Sequence, residues 1–276
     1  MKKFILSLLV VFMTTTVIFA QAQKEKEVKN WFAQIEKTDS DAKKTELANR
    51  IQNGMIDILM EAEDPFWYDF PTLKNVGKIL SDDNQIHMYT WNILLSDGTP
   101  QYYALFQHYD YDAIYIMSQG NARIPATSGY VAEKDWYGAL YYEIHPIKFK
   151  DKEMYMVFGL MTSTNGETQH KVIDVLSFTK KTVKMGAPSF ITPWTGKKKQ
   201  HRVVFEYDKN AQMTLDYNKK KKTITFDHLA PIRQTADGKD VMGPDMSYDA
   251  LVYKKDIWTY KADVNAKNKK DKKKKK

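Results

Sequence analysis

The chain contains no cysteine. That excludes a thiolate nucleophile, dithiol–disulfide redox chemistry, cysteine-type zinc sites and an N-terminal lipidated cysteine. It suits an exported protein that does without disulfides. Familiar catalytic signatures are missing as well: there is no G-x-S-x-G elbow, no Walker loop, no H-E-x-x-H and no G-x-G-x-x-G. Ser40-Asp41-Ala42-Lys43 has the S-x-x-K spacing, but its companions S-D-N and K-T-G are lacking. A serine at the head of a helix is better read as a cap. Past the N-terminus no run is apolar for the ~20 residues a membrane helix needs. No fixed-period repeat of the kind that builds propellers is present either.

A basic body is also lacking, although the formal charge is +8. Residues 267–276 hold eight lysines and one aspartate, and Lys2 and Lys3 stand at the other end, which leaves residues 23–266 at −1. A nucleic-acid-binding domain needs a basic face on its folded part, so nucleic acid is not an expected partner. The lysine tail reads as solvated and disordered, with electrostatic contact to anionic surfaces as the sharper reading. With 43% hydrophobic residues the rest has ample material for a core.

Residues 1–22 have the pattern of a secretory signal peptide: Lys2-Lys3, a mostly apolar run from Phe4 to Phe19, and the A-x-A sequence Ala20-Gln21-Ala22. Cleavage is expected after Ala22, or else after Ala20, and places the mature chain in the periplasm, at the cell surface or outside the cell. Residues 23–64 are helical in character. Val28, Trp31, Phe32 and Ile35 cluster at helical spacing, and Thr38-Asp39-Ser40-Asp41 interrupts with capping residues. Leu47, Ile51, Met55, Ile58 and Ala62 then form one apolar stripe, expected to pack on a sheet. Asp64-Pro65-Phe66-Trp67-Tyr68-Asp69-Phe70-Pro71 is an aromatic connector that its prolines keep from continuing the helix.

Residues 65–264 read as one β-rich domain, and 265–276 as the tail. Over residues 136–160, Leu140, Tyr142 and Ile144 alternate with Tyr141, Glu143 and His145; Met154, Met156, Phe158 and Leu160 alternate beyond Lys150-Asp151-Lys152. That is an antiparallel hairpin. Further runs over 85–95, 101–108, 111–117, 171–178, 183–185, 202–208, 212–218, 223–228 and 245–260 are separated by turn residues. About ten short strands at this spacing predict a mainly β fold. The expected form is an antiparallel meander arranged as a sandwich, barrel or propeller-like body, with the helical region at its N-terminus.

Candidate chemistry is sparse. Asp240, Asp245 and Asp249, and Asp110 with Asp112, are carboxylates in apparent loops, but neither group has calcium-loop spacing. No metal and no cofactor is expected. His87, His108, His145, His170, His201 and His228 are scattered, and Asp227 and His228, adjacent on a strand, should face opposite ways. The feature that stands out is aromatic content, 17 Tyr, 13 Phe and 6 Trp. Where two rings are adjacent on a strand, one is expected to face away from the core. This nominates Trp136, Tyr137 and Tyr141, with Trp67 and Tyr68 of the connector, as a ligand-binding surface for an envelope protein or a glycan.

The stretches DPFWYDFPTLK (64–74), residues 136–160, HKVIDVLSF (170–178), RVVFEY (202–207), FDHLAP (226–231) and GPDMSYDA (243–250) resemble a family of exported β-rich proteins from Bacteroidetes-type bacteria. The resemblance implies a Gram-negative envelope or extracellular setting, and no activity, ligand or site residue comes with it. The expectation is therefore a non-enzymatic binding or structural module. The alternative is a hydrolase of cell-wall or polysaccharide substrates using unpaired carboxylates such as Asp227, Asp245 and Asp249.

Overall fold

The computed structural model describes residues 21–120, 124–162 and 166–265. The expected leader, except its last two residues, and the lysine tail, except Asn265, lie outside them. Helix α1 spans residues 21–35 and α2 spans Asp41–Glu61. Three sheets follow. The first has the order β1 (Gly77–Leu80), β2 (Ile86–Leu94), β3 (Pro100–His108) and β4 (Ala113–Met117). The second runs β5 (Val131–Ala132), β9 (Val183–Met185), β8 (Thr168–Phe178), β7 (Lys152–Thr162) and β6 (Leu140–Phe149), with β11 (Val203–Asp208) also paired to β8. The third runs β10 (Phe190–Ile191), β15 (Ile257–Lys261), β14 (Asp240–Lys254), β13 (Thr223–Gln234) and β12 (Leu215–Asn218). The chain is thus mainly β, and among the described residues no sheet closes into a barrel. Apart from the parallel pair β10–β15, the pairings with a described register are antiparallel.

The chain divides into two compact units. The first gathers the described residues 21–120 with Ala132–His145 and Phe178–Val183. Here Ser40 caps α2, its hydroxyl accepting from Lys43 N–H, as the sequence suggests. Leu47, Ile51, Met55 and Ile58 of α2 and Val28, Phe32 and Ile35 of α1 pack on Tyr89, Trp91 and Ile93 of β2 and on Tyr103 and Leu105 of β3. The helices approach closely at Gly54, where a Cβ would stand 2.9 Å from both Val28 and Trp31. The connector fills this core: Phe70 is buried edge-on to Tyr89 at 5.2 Å, and Tyr68 donates from its hydroxyl to Glu25 at 2.8 Å. Glu25, buried on α1, also accepts from Thr72 N–H and hydroxyl at 2.6 Å.

Three nominated residues prove to be core. Trp136, Tyr137 and Tyr141 are all buried, with Trp136 Nε1 donating to Tyr141 Oη at 3.0 Å and that hydroxyl donating to Tyr137 at 3.2 Å. Tyr141 also meets Phe106 of β3 at 5.9 Å. The period-two argument assumed that one face of each strand meets water. In the first sheet β2 and β3 are covered on both faces, so Tyr102 and Tyr103, adjacent on β3, are both buried. Within the trio, the Trp136 indole N–H is satisfied by Tyr141 and the Tyr141 hydroxyl by Tyr137, which offsets the cost of burying them.

The second unit gathers the described residues of Ile124–Val131, Pro146–Ser177 and 184–265. Strands β7, β8 and β11 pair side by side, and β13–β14 forms a long hairpin. Residues 240–249, read as an aspartate-bearing loop, belong to β14. The register of β13 with β14 shifts between Asp227 and Leu229, and this irregularity absorbs the Asp245-Met246-Ser247 segment. Buried in this unit is Arg202, whose Nε donates to Asp174 at 2.7 Å while its Nη atoms donate to the carbonyls of Ala126 (2.5 Å) and Gly129 (3.1 Å).

Candidate functional site

In the second unit the registers Phe226↔Asp249 and Leu251↔Tyr260 put Phe226, Asp249 and Tyr260 on one face, because directly opposed residues share a side of the sheet. Phe205 of β11 lies 4.8 Å from Phe226, centroid to centroid. The 3-10 turn Pro193–Thr195 brings Trp194 edge-on to Tyr260 at 5.7 Å and to Phe205 at 6.4 Å. That turn is held by Thr192, whose hydroxyl donates to Gln200 Oε1 at 2.6 Å. The four rings form an open groove of about 390 Å³, within the ~300–1,000 Å³ range of small-ligand sites. Trp194 is 52% exposed.

Polar groups line the same groove: Glu206, Asp227, His228 and Asp249. Asp249 is a buried acceptor, taking hydrogen bonds from Tyr260 Oη (2.6 Å) and Asp263 N–H (3.2 Å), and its Oδ2 stands 2.7 Å from His228 Nδ1. That hydrogen bond holds the His228 imidazole above its ordinary pKa, against the opposing effect of desolvation. Burial, then the bond to Asp249, raises the Tyr260 phenol well above its usual range. Asp227 accepts from Thr214 N–H at 2.6 Å and from its hydroxyl at 2.9 Å. Glu206 is half exposed; Oε1 accepts from Thr168 at 2.8 Å and Oε2 stands 3.7 Å from His170 Nε2.

The carboxylates nominated as unpaired are therefore paired. Asp227 and Asp249 hold the bonds just described, and Asp245 accepts from Ser247 N–H (3.0 Å) and hydroxyl (2.7 Å) in a local turn. Asp227 and His228, expected to face opposite ways, both line the groove, since the register shift at that point breaks the strand alternation. Trp194, Phe205, Glu206 and Tyr260 were not singled out by the sequence. They come from three separated segments, and only Trp194, beside Pro193 and Gly196 in a turn, carried any local signal.

Of the nominated aromatics, Trp67 is 48% exposed, with its ring 5.2 Å from Phe66, and Tyr68 is half-buried. Phe66 lines a second groove, in the first unit, of about 590 Å³ with Ile56, Met60, Tyr109, Ile114 and Ile116. Asp64, Gln107, His108 and Asp112 are the polar groups of its lining. Among the described residues no group of three or more His, Asp or Glu is placed to hold a metal, and no helix is long and apolar enough to cross a membrane. No protein-family model, no curated protein sequence and no solved structure matches this chain.

Proposed function

We propose that the protein is an exported, non-enzymatic binding module of the envelope or secreted fraction, and that it takes a glycan in the ring-lined groove of the second unit. The observation that carries this reading is the half-exposed Trp194, edge-on to Phe205 and Tyr260 in a groove that Phe226 also lines, with imidazole and carboxylate groups at the same groove. Sugar rings present C–H faces to aromatic rings and hydroxyls to fixed polar atoms, and pre-bonded groups such as Asp249 and His228 lose little freedom on binding. Export rests on the leader pattern of residues 1–22 and on the resemblance of the body segments.

The test is a calorimetric titration of the full chain with envelope-derived oligosaccharides, repeated with Trp194→Ala. A buried anchor ring contributes about 2 kcal/mol or more to binding, so the variant should bind at least about tenfold more weakly while its circular dichroism is unchanged. Equal affinity for a folded variant, or no binding across the collection, removes the reading. A protein partner is the second reading, favoured by the groove of the first unit, where Met60 and Ile116 are exposed. Hydrolysis by the aspartates has less support, because Asp227 and Asp249 already hold hydrogen bonds from neighbouring groups.

A further inference from the structure

The lining of the groove in the second unit is electronegative on a chain whose composition is the reverse. Lysine and arginine outnumber aspartate and glutamate by 42 to 34. Yet among the described residues the lining holds three carboxylates, Glu206, Asp227 and Asp249, one imidazole and no lysine or arginine. With His228 protonated, the carboxylates still exceed the cation by two. Four aromatic rings add to this, because a ring face carries negative electrostatic potential.

We propose that the ligand of this groove carries a protonated amine, and that its class is an amino sugar with the amine free. The inference rests on the glycan reading and narrows it. Aromatic faces beside carboxylates are the arrangement that recognises organic cations. Asp227 and Asp249 are tied to internal donors and act mainly through their field. Glu206 is the carboxylate placed to meet the amine: its side chain is 53% exposed, one oxygen accepts from Thr168, and the other lies beyond hydrogen-bond reach of His170. His170 is buried, its Nε2 makes no hydrogen bond, and burial lowers its pKa against the opposing pull of Glu206. A basic peptide is a poorer occupant, because peptides are held by main-chain pairing at a sheet edge or along an extended groove. An acidic sugar is opposed by the lining; Lys197, Lys198 and Lys199, which follow the Trp194 turn, are exposed and outside it.

The experiment titrates the full chain, at low salt and mildly acidic pH, with a glucosamine trisaccharide and with its fully N-acetylated counterpart. A galacturonate trisaccharide and a trilysine peptide complete the set. A charge-assisted hydrogen bond predicts that the free-amine sugar binds about tenfold to a hundredfold tighter than the acetylated one. Glu206→Gln, which keeps the oxygen that Thr168 bonds, should bring that ratio close to one, with folding checked by circular dichroism. Equal affinity of the two glucosamine sugars overturns the amine assignment and leaves the glycan reading standing. Absence of binding by every sugar overturns both. Tighter binding of galacturonate or trilysine overturns the amino-sugar class, and so does a ratio unaffected by Glu206→Gln in the folded variant.

Discussion

Arg202 and Asp174 both have side chains closed to solvent, and both carry charge into an interior where solvation is lost. Their mutual bond at 2.7 Å offsets that loss, and the remaining guanidinium donors are met by carbonyls of a loop that has no sheet of its own to hold it. Gly186 permits the arrangement: its φ is +102°, and a Cβ there would come within 2.8 Å of Arg202 Nη2. Removing one partner of such a pair strands the other charge, at a cost of ~3–5 kcal/mol, whereas replacing both by apolar groups is often near neutral. Arg202→Met alone should therefore lower unfolding stability by ~3–5 kcal/mol, and Arg202→Met with Asp174→Leu should recover most of it. Urea unfolding measures this; a single variant within ~1 kcal/mol of the parent would show that the pair is not holding the unit together.

At the scale of elements, the hairpins follow local chemistry. Lys150-Asp151, between β6 and β7, has φ of +48° and +60°, and Lys255-Asp256, between β14 and β15, has +51° and +62°. Two consecutive positive φ values are those of a type I′ turn, whose twist matches that of the strands it joins. The aromatic segments do not follow so simply. Trp67 and Trp136 sit in similar runs of rings, yet one is half exposed and the other has no exposure. Trp136→Ala removes a filled core volume and the partner of Tyr141 Oη, and should cost ~3–5 kcal/mol. Trp67→Ala should stay within ~0.5 kcal/mol of the parent. Parallel denaturant curves decide it, and similar losses for both variants would contradict the assigned burial.

Over the whole molecule, four histidines bear on the response to acid. His87, His108, His170 and His201 all have lowered pKa values, in each case chiefly because burial disfavours the charged ring. The unfolded chain takes up those protons near pH ~6.5, whereas the folded chain resists them until lower pH. Stability is then complete above ~6.5 and falls as pH drops below it. His228 acts oppositely, since its raised pKa gives a contribution complete below ~6.5 and lost as pH rises through the folded value. Its side chain is 40% exposed, so solvent screens that contribution and the other four, of which His87, His108 and His170 are buried, prevail. Melting temperature should decline steadily from pH ~7 to ~5. A flat or rising profile over that interval would mean that the buried rings take up protons without cost.

How far the sequence led differs between these scales. The alternation over residues 140–160 and the apolar stripe of α2 are local periodicities, so the hairpin and the amphipathic helix were legible from side-chain order alone. The same holds for Ser40, because a cap acts within one turn. Strand count ran lower in the sequence because β5 and β10, two residues each, exist only through pairing. Sequence order by itself determined that this chain is a β-rich body with two helices before it, since propensity and period act between near neighbours. Tertiary structure alone decided which face of each strand meets water and which distant residues meet. Trp136, Tyr137 and Tyr141 became core because they bond to one another and Tyr141 packs on Phe106 of a distant strand, while Trp194, Phe205, Glu206 and Tyr260 became a groove because segments with no common signal in the chain meet there.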